Sequence, residues 1–310
     1  MSVVVTGAAG FIGSRLVARL LRDGHRVVGI DRRPAMPEGA LALVGDLSRP
    51  DALIRAALAE ADAVFHLAGC PGVRDRTPDV AARRLRDNVL AGEQVLTLAR
   101  PGVPLVVASS SSVYGGTRRE RGRDRPCAET DPLFPRGGYA RSKVVLEQRC
   151  VRRAAAGGRV AVLRPFTVAG EGQRPDMALS RWIDAARRGE PLRVLGSPRR
   201  RRDVTDVADV VEAFVRAAER GATGVLNVGT GVGHRLSELA DAVRAAVGAD
   251  VPLVVEPVSA VEPPATLADT ARCARTLGFV PVTDLAALVR RQAAAQPLPV
   301  PVPAPVLEPA

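Results

Sequence analysis

The chain has 310 residues, 46% hydrophobic and 25% charged, as expected for a globular protein with one large domain or two closely joined ones. It contains neither an uncharged apolar run of about 18 residues nor the pattern of a signal peptide, so we expect no membrane contact and a cytoplasmic location. Its net charge of +11 would suit nucleic acid, but the arginines are dispersed and only 3% of residues are aromatic, which favours a phosphate-bearing small ligand instead.

Strand-like and helix-like segments alternate from the N-terminus. Apolar β-branched runs predict strands, and amphipathic stretches predict the helices between them. The predicted strands cover residues 3–6, 26–30, 40–44, 63–67, 103–109 and 159–163. A first helix ends near Asp23, and the clearest later ones cover residues 50–61, 79–100 and 139–156. This alternation predicts an α/β fold, a Rossmann-type doubly wound parallel sheet with helices on both faces.

A glycine-rich segment, GAAGFIG at residues 7–13, follows the first predicted strand and opens a helix. Glycines at these positions allow a tight turn and let backbone N–H groups reach a pyrophosphate at the helix N-terminus. The second strand ends at Asp31, 18 residues after Gly13, where a carboxylate can accept both ribose hydroxyls of NAD. The pattern predicts a dinucleotide site whose first members are Gly7, Gly10, Phe11, Ile12, Gly13 and Asp31.

Two arginines directly after Asp31 bear on the choice of dinucleotide. Arg32 or Arg33 could hold the 2′-phosphate of NADP, and we include Arg32 among the cofactor-binding residues. Asp31 would repel that phosphate, so we expect NAD to be preferred.

The second half of the chain is less regular. Helices are predicted at residues 177–188, 207–220 and 236–247, and short strands at 192–195 and 224–228. We expect residues 1–165, completed by parts of about 203–230, to form the NAD-binding Rossmann core. Residues 166–296 would form mainly a smaller, C-terminal substrate-binding region, and the proline-rich residues 297–310 predict a disordered tail.

The cysteines and histidines give no sign of a metal site. Four cysteines and three histidines are scattered along the chain without a short ligand spacing. We therefore expect no metal, and thiols in a reducing compartment.

A YxxxK motif joins Tyr139 and Lys143 near the start of a predicted helix. Lys143 is the single lysine among 44 basic residues, and Tyr139 is one of two tyrosines. The spacing places both side chains on one helix face. A cation beside a phenol favours the phenolate, so Tyr139 can act as a base near neutral pH. A compact ammonium at this place explains why arginine did not replace this lysine.

The spacing of residues 7–13 resembles that of extended short-chain dehydrogenase/reductases. The HLAG segment at 66–69 and the SSSSVYG segment at 109–115 are similar to segments of NAD-dependent nucleotide-sugar epimerases and dehydratases. The stretch RPFTVAGEGQRPDM at 164–177 most resembles UDP-glucuronate 4-epimerases. The resemblance covers residues 3 to about 292.

This resemblance implies further site residues. Ser110 would be the catalytic hydroxyl that binds the sugar oxygen, beside Tyr139 and Lys143, which also contact the cofactor. The additional cofactor-binding positions that it implies are Asp46, Leu47, Leu67, Ala68, Gly69, Asn88 and Pro165.

Two serines indicate which of the family's reactions this chain would catalyse. Ser111 and Ser112 stand where the 4,6-dehydratases of the family have Asp and Glu, and where UDP-glucuronate decarboxylases have a Glu at the second position. Serine cannot replace a carboxylate acid or base, so epimerisation is favoured, with Ser111 and Ser112 binding the sugar.

On the substrate side, the resemblance implies that Thr167 and Arg174 bind the carboxylate of a hexuronate and that Arg202 binds the pyrophosphate. Two positions depart from the family. Ala169 replaces a usual tyrosine, and Ala260 falls where a second pyrophosphate-binding arginine is expected.

The sequence therefore predicts a C4 epimerase of UDP-glucuronate. The alternative is an epimerase or 4-ketoreductase of another nucleotide hexose, such as UDP-glucose, UDP-galactose or a dTDP-deoxysugar. A non-catalytic NAD(P) sensor and a nucleic-acid-binding protein are less consistent with the YxxxK motif and the composition. The resemblance also implies a homodimer that pairs the helices near 79–100 and 139–156.

Overall fold

The fold is built on strands from both halves of the chain. The computed structural model describes residues 1–72, 75, 77–258 and 261–297. Ala260 and residues 298–310, most of the expected tail, lie outside the described residues. The strands of the described part are β1 (Ser2–Thr6), β2 (Arg26–Asp31), β3 (Leu41–Val44), β4 (Ala63–His66), β5 (Leu105–Ala108), β6 (Arg118–Glu120), β7 (Arg123–Arg125), β8 (Val160–Pro165), β9 (Val168–Ala169), β10 (Leu192–Leu195), β11 (Arg201–Asp203), β12 (Thr205–Asp206), β13 (Gly224–Val228), β14 (Gly233–Arg235) and β15 (Leu253–Glu256).

Seven of these strands form one parallel sheet in the order β13-β8-β5-β4-β1-β2-β3. This arrangement confirms the predicted Rossmann-type α/β class. The strand order reverses next to β1, and in open α/β sheets ligands bind at the carboxyl ends of the strands at such a point. The last strand, β13, comes from the second half of the chain and pairs with β8.

Helices fill the connections of the sheet. In the described part they are α1 (Phe11–Arg22), α2 (Ala52–Glu60), α3 (Val80–Arg84), α4 (Ala91–Leu98), α5 (Gly137–Ala155), α6 (Ala178–Arg187), α7 (Val207–Glu219), α8 (Leu236–Val247), α9 (Ala271–Leu277) and α10 (Leu285–Ala295). The single helix expected at 79–100 is interrupted by a π-helical turn, Leu85–Leu90. None of these helices is long and apolar enough to cross a membrane.

The two faces of the sheet bury separate apolar clusters. On one face α1 and α7 contribute Leu16 and Phe214, and on the other α4 and α5 contribute Val95 and Leu146. Strands buried on both faces read as continuous apolar runs, which is why β1 has three consecutive valines.

A third cluster lies outside the sheet. It joins α6, α8 and α10 through residues such as Trp182, Leu239 and Leu288. Sequence patterns did not predict α9, α10 or β15, nor the hairpin of β6 and β7 in the highly charged segment 118–125. α9, α10 and β15 pack against distant segments, which local periodicity does not report, and the hairpin of β6 and β7 is short, exposed and highly charged.

Leu163 on β8 is fully buried in the sheet, and Leu53 on α2 is 67% exposed. Leu53 therefore serves as the exposed control for a substitution at Leu163. We expect Leu163→Ala to lower the free energy of unfolding by about 2–5 kcal/mol, because it leaves a cavity. Leu53→Ala should change it by less than about 0.5 kcal/mol. Urea unfolding monitored by circular dichroism measures both, and equal effects would contradict the described packing.

Candidate active site

The loop between β1 and α1 closes tightly around its glycines. Gly7 has a φ of +71°, and a Cβ atom there would lie 2.7 Å from the Ala68 nitrogen. A Cβ atom at Gly13 would lie 2.0 Å from the Gly7 oxygen. Helix α1 then begins after Gly10 with no side chain capping its first turn. Its first N–H groups, those of Phe11 and Ile12 among them, suit the pyrophosphate of a dinucleotide.

Asp31 lies across this loop at the end of β2. Its carboxylate accepts hydrogen bonds from the Ala9 nitrogen at 3.1 Å and the Arg33 nitrogen at 3.0 Å. A carboxylate offers about four acceptor positions, so lone pairs remain for ribose hydroxyls. Together the loop and Asp31 fit the dinucleotide predicted from the sequence.

The segment after β4 contacts both the end of β1, where the glycine-rich loop begins, and α5, the helix of the YxxxK motif. Leu67 and Ala68 donate their backbone N–H groups to Thr6. A Cβ atom at Gly69 would lie 2.6 Å from Asn88 Oδ1 and 3.7 Å from Lys143 Nζ. Gly69 is therefore the point at which the π-helical turn and α5 meet the sheet edge.

The predicted cofactor residue Asn88 is fully buried and bonded to protein groups. Its amide accepts from the Cys70 nitrogen at 2.6 Å and donates to Ser142 Oγ at 2.8 Å. Ser142 in turn donates to the Tyr139 carbonyl at 2.7 Å. The wider π-helical turn around Asn88 thus connects the loop after β4 to the helix that carries Tyr139, as such turns often do at functional sites.

Ser110, Tyr139 and Lys143 meet at the carboxyl ends of β4 and β5. The Ser110 hydroxyl lies near enough to the Tyr139 phenol to lower its pKa. Lys143 is 5% exposed, and its Nζ donates to the Ala108 carbonyl at the end of β5 at 2.8 Å. Burial lowers the pKa of Lys143 to about 8. Burial raises the pKa of Tyr139, while the nearby Ser110 hydroxyl and the charge of Arg174 oppose that rise.

A buried ion pair that the sequence did not predict lies one turn beyond Lys143. Arg164 on β8 donates two hydrogen bonds to Glu147 on α5, at 2.9 and 2.6 Å. Ser109 is bonded to the same carboxylate. The only sequence signal was the i, i+4 spacing of Lys143 and Glu147 on one face of α5.

The same network extends to the edge of the sheet. Arg164 also donates to the Tyr114 hydroxyl at 2.7 Å, and that hydroxyl donates to Asn227 on β13 at 2.7 Å. Pro165, a predicted cofactor neighbour, follows Arg164 and ends β8. The helix that carries Tyr139 is therefore fixed to three strands through buried polar groups.

The predicted substrate residues lie beside this centre. Arg174 interacts electrostatically with Tyr139, and its guanidinium donates to Asp176 at 2.8 and 2.7 Å. Ser111 and Ser112 begin a 3₁₀ turn after Ser110. Among described residues, the buried Ser112 hydroxyl has no hydrogen-bond partner.

The remaining predicted positions lie after β8, in the second half of the chain. Thr167 is partly buried between β8 and β9, and Ala169 is buried among α6 and its neighbours. Arg202 on β11 pairs with Glu262 at 3.2 Å. Within the described part of the chain, no group of three His, Cys, Asp or Glu side chains could hold a metal ion.

Residues 3–229 match the family model described as the NAD dependent epimerase/dehydratase family. This chain belongs to that family. Membership confirms the resemblance noted in the sequence and identifies NAD as the cofactor of the dinucleotide site.

Two curated relatives are similar to this family member over most of its length. One is the "Uncharacterized UDP-glucose epimerase YtcB" of Bacillus subtilis, 32% identical, with 92% of this chain and 94% of the relative covered. The other is a "Probable UDP-glucuronate 4-epimerase" of Rhizobium meliloti, 36% identical, covering 70% of this chain and 67% of the relative.

Two solved structures are also similar to this chain over most of its length. MoeE5 in complex with UDP-glucuronic acid and NAD is 36% identical, with a TM-score of 0.84. UDP-glucuronic acid 4-epimerase from Bacillus cereus, in complex with UDP-glucuronic acid and NAD, is 27% identical, with a TM-score of 0.86. In both cases 95% of this chain and 98% of the solved chain are covered.

The Glu147–Arg164 pair has a matched surface control in the pair that Arg149, also on α5, forms with Glu93 on α4. Glu147→Gln should lower the free energy of unfolding by about 3–5 kcal/mol, because Arg164 is left as an uncompensated buried charge. Glu93→Gln removes the half-exposed pair of Glu93 with Arg149 and should cost about 1 kcal/mol or less. Similar costs in urea unfolding would show that the buried pair does not anchor α5.

Proposed function

We propose that this family member epimerises a nucleotide sugar at C4 through a transient 4-keto sugar, converting UDP-glucuronate to UDP-galacturonate. The observation that carries the proposal is the position of Arg174, whose positive charge acts on the Tyr139 phenol. A hexuronate has its carboxylate on C5, next to the C4 hydroxyl that Tyr139 would deprotonate. A cation beside the base is therefore placed to bind the carboxylate of a uronate.

The chain's own residues supply the proton transfer. Tyr139 takes the proton of the C4 hydroxyl, Ser110 holds the same oxygen, and the Lys143 cation favours the phenolate. NAD, which the loop after β1 and Asp31 would hold, would supply a reversible hydride acceptor for C4, and inversion requires the keto sugar to turn so that hydride reaches its opposite face. Tyr139 then returns the proton to the new hydroxyl.

Four side chains fit the carboxylate of the sugar. A buried carboxylate needs a cation or several donors, since an unpaired charge costs several kcal/mol. Arg174 supplies the cation, and Ser111, Ser112 and Thr167 supply hydroxyls. The unpartnered hydroxyl of Ser112 among the described residues supports a ligand group at that place. Serines at 111 and 112 also leave no carboxylate there to act as acid or base in dehydration.

A neutral hexose is the second candidate. Arg174 is already paired with Asp176, so the site without substrate does not need a uronate to neutralise it. The relative from Bacillus subtilis named as a UDP-glucose epimerase supports the same alternative. In this case Arg202 would still bind the pyrophosphate, and only the sugar contacts would differ.

Substrate choice can be measured directly. The purified protein is incubated with a panel of UDP- and dTDP-sugars, including UDP-glucuronate and UDP-glucose, and the products are followed by NMR. We expect UDP-galacturonate from UDP-glucuronate at the highest kcat/KM. Faster conversion of UDP-glucose would favour the second candidate, and no conversion of any sugar would contradict the epimerase.

The catalytic roles are tested on α5. Tyr139→Phe should retain NAD binding and lower turnover at least about a hundredfold, because the base is lost. Lys143→Arg should also impair turnover, because a planar guanidinium does not fit the buried site at the Ala108 carbonyl. Arg141→Lys changes an exposed neighbour and should have little effect. A fully active Lys143→Arg enzyme would contradict the role of the lysine.

Carboxylate recognition is tested at Arg174. Arg174→Ala should cost about 2 kcal/mol or more in kcat/KM for UDP-glucuronate, roughly 30-fold, because the uronate loses its cation. Activity on UDP-glucose should change much less. Arg181→Ala, which removes an exposed guanidinium from α6, serves as the control. An equal loss on both sugars would mean that Arg174 does not recognise the carboxylate.

We also propose a homodimer formed through the π-helical turn and α5. Leu85 and Leu90 on this turn and Val151 on α5 are exposed apolar side chains on elements that pack against each other. Light scattering at micromolar concentration should give twice the chain mass of 32.5 kDa. Leu85→Glu should shift the mass toward the monomer, because a charge opposes burial in the interface. A monomeric wild-type protein would contradict the proposal.

We also propose that the protein is located in the cytoplasm. The four cysteines, Cys70, Cys127, Cys150 and Cys273, are all free and buried. Free thiols are typical of reducing compartments. Fractionation of cells that produce the protein should recover it with cytoplasmic markers.

A further inference from the structure

The arginine that follows β2 is held between two carboxylates. Arg32 Nη2 lies 2.8 Å from Asp46 Oδ2 and 2.7 Å from Asp87 Oδ1. Asp46 follows β3, and Asp87 lies on the π-helical turn, so two separate segments hold one guanidinium. Neither Asp87 nor its contact with Arg32 was predicted from the sequence.

All three groups of this clamp are ionised near neutral pH. Burial would raise the pKa of Asp46, but hydrogen bonds from Arg32 and Ser48 outweigh it and lower the pKa to about 2. In Asp87 the hydrogen bonds from Arg86 and Arg32 likewise outweigh burial and lower the pKa. The bond with Asp87 raises the pKa of Arg32 despite its partial burial.

The second arginine, Arg33, is also engaged. Its Nη2 donates to the Ala9 carbonyl at 2.6 Å, and its Nε lies 3.6 Å from Asp31. Both guanidiniums that could meet a phosphate at this end of the site therefore contact oxygen atoms of the protein.

A 2′-phosphate on the adenosine ribose normally requires an arginine just after the second strand. We propose that Asp46 and Asp87 set the preference for NAD over NADP by holding Arg32 between them, so that its guanidinium is withheld from the 2′-phosphate. The carboxylate of Asp31 repels the phosphate, and the clamp removes the cation that could compensate. The inference rests on the dinucleotide site assigned above and is independent of the sugar substrate.

The experiment measures NADH and NADPH dissociation constants of the full chain by fluorescence titration. Asp31→Ser removes the repulsion and provides the background. Adding Asp87→Asn in this background removes one charge of the clamp while keeping the shape of the side chain. We expect NADPH affinity to rise at least about tenfold over Asp31→Ser alone, the scale of one hydrogen bond to a charged group. NADH affinity should change much less.

Adding Arg32→Gln to the double variant separates the clamp from simple charge removal. If Arg32 is the group released, this third change abolishes the gain in NADPH affinity. If the gain persists without Arg32, the carboxylates act only by repulsion and the proposal is overturned. Asp51→Asn is the matched control, because Asp51 lies near Gly45 without contacting Arg32 and asparagine can still cap α2. It should leave NADPH affinity unchanged.

Folding is monitored by the same titration. Bound NADH shows that the site of a variant is intact, and Asp46→Asn in the Asp31→Ser background provides a second way to open the clamp. An unchanged NADPH affinity in both double variants that still bind NADH overturns the proposal. Failure of the wild-type protein to bind NADH would instead contradict the dinucleotide site itself.

Discussion

The hydrogen bond from Lys143 to the Ala108 carbonyl fixes α5, the helix of Tyr139, against the sheet. A buried ammonium must be satisfied by polar partners, so this bond sets how α5 lies over the end of β5. One turn later Glu147 binds Arg164 at the end of β8. The two buried contacts together determine where Tyr139 stands relative to Ser110. The proposed chemistry depends on this placement, because a base must reach the proton that it removes.

Opposite charges mark the two ends of the site. At the adenosine end, Asp46 and Asp87 hold Arg32, and Asp31 is bonded to the neighbouring Arg33. We propose that these three carboxylates disfavour a further phosphate. At the proposed sugar end, the positive charge of Arg174 acts on Tyr139, and we propose that it also binds an acidic sugar. In the two proposals, the same sheet edge favours the cofactor with fewer phosphates and the substrate with an additional carboxylate.

Local patterns predicted those parts of the fold and site that depend on neighbours in sequence. The loop from Gly7 to Gly13 and the pair of Tyr139 and Lys143 could be predicted because a turn and a helix face fix their geometry. The clamp on Arg32 joins residues 55 positions apart, and Arg164 reaches Glu147 across 17. Such pairs depend on strand order and helix packing, which periodicity does not give. The π-helical turn was missed because its Asn88 contacts are made to Cys70, on another segment.

In the proposed reaction, C4 loses and regains the same hydrogen within one active site. The most direct measurement uses UDP-glucuronate that carries deuterium at C4, incubated with the enzyme in ordinary water and analysed by NMR and mass spectrometry. We expect UDP-galacturonate that retains the deuterium at C4. A product that has exchanged this deuterium for solvent hydrogen, or inversion at another carbon, would contradict it.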